Sequence, residues 1–238
     1  MSKPVGFDQK ILLHQLNFTA KEARRTERKD MYKKLDEFLL ADIKGQKSRK
    51  NAITMLMKIW FLVDDEHRQL QEKAFDLFLD LNKEEKLMLH YSMTVLAYPF
   101  VNDLVHEMGK LFKLQNDISS QQIGRLMKNL YGDRRRVEVA TSAALTSLKS
   151  WGVIDSGEMK KSYKIANKYP VQSVHLRQWL AKAVIRCSEN TSLPLDVLNA
   201  HPAFFPFDYK ISTNDLKTNQ FEVNRQGLDM IMVEITQS

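Results

Sequence analysis

NDISSQQIGRLMKNLYGDRRRVEVATSAALTSLKSWGVIDSGEMKKSYKIANK, residues 116–168, carries four local signals in a fixed order. Asp117-Ile118-Ser119-Ser120-Gln121-Gln122 contains a capping box: Ser119 accepts from the Gln122 amide while the Gln122 side chain reaches back, which starts a helix. Ile118 before the cap pairs with Ile123 as a hydrophobic staple. The helix runs to about Leu130, and Tyr131-Gly132-Asp133 makes a tight turn. A longer helix from Arg134 to Trp151 stops at Gly152. Val153-Ile154 and Ser162-Tyr163-Lys164-Ile165 then read as two strands about a Ser156-Gly157 turn. Helix, tight turn, longer helix and hairpin form the order of a winged helix-turn-helix.

On a wheel of 100° per residue, Val137, Ala140, Thr141, Ala144, Leu148 and Trp151 form the buried stripe of the longer helix, with Leu145 at its margin. The opposite face carries Arg135, Val139, Ser142, Thr146 and Ser150, edged by Lys149 and Arg136. Small hydroxyls with Arg and Lys suit a helix lying in a major groove, where Arg bonds guanine bidentately. The N-terminal end, the part that enters the groove, holds Arg134, Arg135 and Arg136. Three cations there oppose the helix dipole, which suggests an anionic partner. Lys160, Lys161 and Lys164 lie on the hairpin, positioned for flanking phosphates. Residues 119–168 hold 10 Lys/Arg against 4 Asp/Glu. Double-stranded DNA is the expected partner. A winged helix used only for protein contacts is the alternative.

Upstream, the sequence predicts an extended leader over 1–17 and one long helix from about Thr19 to Ile43. On that helix Lys21, Arg24, Arg25, Arg28 and Lys29 fall on one side, a second basic stripe. Gly45 fits a stop and Ser48 an N-cap. Further helices are expected from Asp64 to Leu81, from Lys83 to a break at Pro99, and from Phe100 to Leu114. This makes residues 1–115 a helical bundle, 116–170 the winged helix and 171–238 a small α+β cap, a mainly α fold. In that last segment Val174–Cys187 reads as a helix, Ser212 as the cap of a short helix, and Phe221–Val223 and Met230–Ile235 as strands around Arg225-Gln226-Gly227. Phe204-Phe205-Pro206-Phe207 reads as a buried plug joining the parts.

The 238 residues carry 36 Lys/Arg against 29 Asp/Glu. The charge is uneven: 13 against 7 in residues 1–50, 5 against 8 in 51–100, 12 against 7 in 101–170 and 6 against 7 in 171–238. Apolar runs reach about five residues, far short of the about 20 of a membrane helix. One cysteine, Cys187, rules out an internal disulfide and fits a reducing cytoplasm. No glycine-rich phosphate loop, nucleophile elbow or HExxH pattern occurs. The six histidines lack metal-ligand spacing, and His90 and His106 read as core-margin residues. No enzyme, metal or cofactor is expected.

Arg49 and Lys50 opening an amphipathic helix, the apolar helix Leu87–Pro99 and Thr141–Ile154 (TSAALTSLKSWGVI) resemble the BrxA family of bacterial BREX phage-defence systems. The resemblance covers about residues 44–200; the basic segment 21–29 departs from it. It implies a bundle like the antitermination factor NusB before a winged helix, and a non-enzymatic DNA-binding component working with other defence-system proteins. An RNA-binding antitermination protein and a protein–protein adaptor are the other expectations.

Overall fold

A computed structural model describes residues 3–227 and 229–236. Among them the chain is mainly helical, with ten α-helices and three small sheets. An extended leader ends at Leu12, where α1 (Leu13–Ala23) begins. It is followed by α2 (Arg28–Leu39), α3 (Gln46–Trp60), a 3-10 turn (Asp65–His67), α4 (Arg68–Phe78), α5 (Lys83–Ala97) and α6 (Pro99–Phe112).

The expected long helix 19–43 is therefore two helices. The chain turns at Arg24–Glu27, and Lys34 Nζ reaches back to Glu22 (2.6 Å) and Thr26 (3.0 Å) across the corner. Packing explains the reversal. α1 buries Leu16, Thr19 and Ala20, and α2 buries Met31, Leu35 and Leu39; both helices lie against α3. A straight helix would carry one of these apolar faces away from α3. The leader is also shorter than 1–17. Ser48 lies inside the first turn of α3, whose cap is Gly45. Arg49 holds that end: it donates to Asp36 (2.7 Å) and to the carbonyls of Ile43 and Lys44 (both 3.2 Å).

α5 is buried along nearly its whole length. His90 is fully buried rather than marginal: Trp60 Nε1 donates to its Nδ1 (3.0 Å), and its Nε2 meets Asn17 Oδ1 of α1 (3.1 Å). Burial lowers its pKa to about 3, so the ring is neutral and Nε2–H is the donor to Asn17.

After α6 come β1 (Ile118–Ser119), α7 (Ser120–Tyr131), α8 (Arg135–Ser150), β2 (Ile154–Ser156) and β3 (Ser162–Ile165). The capping box forms as read: Gln122 N donates to Ser119 Oγ (3.0 Å) and Ser119 N to Gln122 Oε1 (3.2 Å). Ile118 and Ile123 are both buried. The sheet order is β1-β3-β2, antiparallel throughout, with Ile118 opposite Tyr163 and Asp155 opposite Lys164. The strand β1 adds to the expected hairpin, and β3 is the central strand of the sheet.

The remainder is β4 (Tyr169–Pro170), α9 (Val174–Cys187), β5 (Ser192–Pro194), α10 (Leu195–Asn199), a second 3-10 turn (Pro202–Phe204), β6 (Phe207–Asp208), β7 (Phe221–Gln226) and β8 (Met230–Ile235). The hairpin β7–β8 forms, but β7 runs on through Arg225 and Gln226, read as turn, which pair with Ile231 and Met230; β5 adds a third strand. Ser212 caps only a turn: its Oγ accepts from Asp215 N (3.3 Å), and no helix follows among the described residues. α9 packs on α4 and α5, with Trp179 Nε1 donating to the Leu70 carbonyl (2.8 Å). The Phe204–Phe207 cluster is buried as expected. It docks on α6 where Gly109 allows close approach: a Cβ there would sit 1.9 Å from the Pro202 carbonyl oxygen.

Candidate nucleic-acid interface

α8 carries the residues read as an interface, and its burial follows the wheel. Val137, Ala140, Thr141, Ala144, Leu145 and Leu148 are buried; Arg135, Val139, Ser142, Thr146, Lys149 and Ser150 are exposed. The Thr146 hydroxyl is spent locally, donating to the Ser142 carbonyl (2.7 Å).

The three arginines do not act alike. Arg134 is the N-cap of α8, and its guanidinium donates to the Tyr131 carbonyl (2.8 Å) and to the Lys3 carbonyl (3.0 Å). It fastens the leader and the end of α7, so its Nε and Nη2 donors are committed to backbone. Arg135 projects outward, 85 % exposed, with one bond to Glu138 (3.0 Å). Arg136 leans towards Asp8 of the leader at 3.9 Å. Glu138 is shared with Lys128, which also meets Asp133, and together they push Lys128 up to about 12. The Lys128 and Arg135 side chains hold the Glu138 carboxyl below its ordinary range.

The leader accounts for these departures. It runs alongside α8: Ile11 N donates to Ser147 Oγ (3.0 Å), and Trp151 Nε1 donates to the Ile11 carbonyl (2.9 Å). Trp151, buried as the stripe predicts, is thus also an anchor for the leader. Lys3 adds an ion pair to Asp103 of α6 (3.0 Å), to which the Tyr131 hydroxyl also donates (2.8 Å).

On the other flank, Lys149 connects α8 to β2. Its Nζ bonds Ser156 Oγ and lies 3.5 Å from Asp155. Asp155 stands opposite Lys164 on β3, so Lys149 and the exposed Lys164 border the same carboxylate. Both the Ser156 amide and Lys149 hold the Asp155 carboxyl low.

Lys160 and Lys161 sit in the turn of the hairpin, both exposed. Asp117 builds that turn by accepting from the amides of Glu158 (2.6 Å) and Met159 (3.1 Å) and from Ser162 Oγ (3.0 Å). These bonds, the Met159 amide first, depress its pKa. Only glycine fits at 157, where a Cβ would lie 2.2 Å from Ser162 Oγ and 2.5 Å from Asp117. Lys161 adopts φ +59°, and its carbonyl accepts from Ser120 N (2.9 Å). The turn is therefore folded onto the start of α7.

Comparison with protein-family models, curated proteins and solved structures finds no match. The site stands on its own geometry. Arg135, Ser142, Thr146 and Lys149 share one exposed face, continued through Asp155 to Lys164.

The second basic stripe dissolves with the long helix. Lys21 is in the last turn of α1, Arg24 and Arg25 are at the corner, and Arg28 and Lys29 open α2. All five are exposed, but they no longer follow one helix wheel, and Arg24 is paired with Asp76 of α4 (3.0 Å).

Two side chains near the face were not singled out by sequence. Arg125 of α7 is exposed and has no ion pair among the described residues; Tyr163 of β3 is half-buried beside it in a groove between α7 and α8. The wheel of α7 carries the signal for Arg125, which lies opposite Ile123 and Met127. Tyr163 has no local signal, since its position depends on pairing with β1. No helix among the described residues is long and apolar enough to cross a membrane.

Proposed function

We propose that β1, α7, α8 and the β2–β3 hairpin form a winged helix-turn-helix whose α8 face binds duplex DNA, and that the chain is a non-enzymatic, cytoplasmic component of a phage-defence system. The helix and strand order and the β1-β3-β2 sheet support the fold reading. The observation that carries the function is the continuity of Arg135, Ser142, Thr146 and Lys149 with Lys164. It supplies the Ser142 hydroxyl and a guanidinium for base edges beside lysines for phosphates. The partners of these cations do not oppose the reading. Exposed ion pairs such as Arg135–Glu138 contribute about 0–1 kcal/mol, and a phosphate backbone displaces them readily.

The resemblance to the BrxA family supports the defence-system assignment, with other proteins of such a system as further partners. A NusB-like bundle belongs to the same proposal.

Fluorescence anisotropy with a labelled duplex tests this. Arg135, Lys149, Lys160, Lys161 and Lys164 neutralise about five phosphates, so log K falls with log salt at a slope of roughly −4 to −5. Absence of binding at about 50 mM salt overturns the proposal and leaves the winged helix as a protein-docking element. Tighter binding to duplex RNA than to DNA turns it towards the antitermination class.

A further inference from the structure

The groove between α7 and α8 opens beside the proposed DNA face and shares Ser142 with it. Its volume is about 460 Å³, within the range of small-molecule sites. Val137 and Leu145 line it as buried apolar side chains, and half-buried Tyr163 lines it from the central strand of its sheet. Arg125 is the cation at its rim without an ion pair among the described residues. Lys128 and Glu138 also line the groove but neutralise each other.

Two features of the groove have no explanation within the fold. Thr141 lines it and is only 6 % exposed, yet its hydroxyl has no hydrogen-bond partner. A helical threonine ordinarily bonds the carbonyl one turn back, as Thr146 does here. Gly124 is the second. It lies inside α7, where glycine weakens a helix relative to alanine. A Cβ at 124 would meet nothing within 4 Å, so packing does not require glycine. What the glycine provides is a bare stretch of backbone along the groove.

We propose that this groove binds a nucleotide. The base lies against the Tyr163 ring, Gln121 meets its polar edge, and Arg125 takes its phosphate. The Tyr163 ring selects an aromatic heterocycle, and the rim guanidinium selects an anion. The nucleotide comes either from a free mononucleotide or from an unpaired position in DNA; the second source rests on the DNA-binding proposal above.

The experiment titrates the full chain with three probes: a fully paired duplex, the same duplex with one extrahelical adenine, and a fluorescent adenosine monophosphate. Each is repeated with Gly124→Leu, which fills the groove with a good helix former, and with Tyr163→Phe and Tyr163→Ala. Melting temperature is followed in parallel; Gly124→Leu is expected at or above the parent value.

A bound nucleotide predicts that the extrahelical adenine tightens duplex binding about tenfold, the size of one base stacked on an aromatic ring. Gly124→Leu and Tyr163→Ala abolish that gain while Tyr163→Phe keeps it, and binding of the paired duplex is unchanged. Mononucleotide binding that disappears in the same two variants, without discrimination between duplexes, supports the groove with a free ligand as its source. Equal binding of both duplexes with no mononucleotide binding overturns the groove proposal and leaves DNA binding standing. Mononucleotide binding without any duplex binding overturns the DNA proposal and keeps the groove. No binding of any probe overturns both.

Discussion

The two basic regions of this chain look alike in sequence and differ in three dimensions. Residues 21–29 hold five cations on one side of an imagined helix; residues 134–164 hold seven on a helix and a hairpin. In the first region the helix breaks at Arg24–Glu27, and the cations scatter around a corner. In the second, the helix is real, its exposed face is the expected one, and Lys149 carries that face onto the hairpin. A charge stripe is only as good as the backbone that presents it. Even on the sound helix, one of three adjacent arginines is a structural cap: Arg134 spends its donors on carbonyls, whereas Arg135 faces solvent.

The largest test of this contrast is Trp151→Ala. Trp151 is 3 % exposed and ties α8 to Ile11 of the leader. Its truncation should cost about 3–5 kcal/mol by urea unfolding. An unchanged midpoint would mean that α8 is not held in the register that exposes Arg135 and Ser142.

The next effect concerns the seat of α1, through the His90–Asn17 bond. The folded pKa of His90, about 3, is below its unfolded value near 6.5. Below pH 6.5 the unfolded chain takes up a proton that the folded chain refuses. Stability is thus fully present above pH 6.5 and declines as pH falls towards 3, by about 2 kcal/mol between pH 7 and 5. His201, lowered to about 4 by burial, acts in the same direction. A flat stability profile over that interval would contradict the buried neutral ring.

A smaller effect separates the arginines. Arg134→Ala should cost about 1 kcal/mol of stability by removing its carbonyl bonds, with the salt slope of DNA binding unchanged. Arg135→Ala should do the reverse, leaving the melting temperature in place and reducing the slope by about one. The smallest is Arg24→Ala: its pair with Asp76 is exposed on both sides, so stability should move by less than about 1 kcal/mol.

How far sequence reaches follows from the same contrast. Signals confined to a few neighbouring residues are legible: the Ser119–Gln122 capping box, the start of α6 at Pro99, and the buried stripe of α8. The α1–α2 reversal is not, because Ala23–Glu27 contains neither Gly nor Pro and Thr26 is its one weak helix former. Only α3, distant in sequence, makes the turn favourable. Non-local pairing hides the rest. β1 is two residues that become a strand only against β3, and β5 needs β8. Arg134 reads as part of a DNA-binding triplet because nothing nearby in sequence announces that Lys3 will offer it a carbonyl.

The most direct measurement is a side-by-side salt titration of duplex binding by two multiple variants of the full chain. One replaces Arg135, Lys149 and Lys164 with Ala; the other replaces Lys21, Arg25, Arg28 and Lys29. The first should weaken binding and lower the salt slope by about three, one for each phosphate no longer neutralised. The second should keep the parent slope, and both melting temperatures should stay within a few degrees of the parent. Abolished binding in the second variant, with the first unaffected, would contradict the α8 assignment and move the anion-binding surface to the α1–α2 corner.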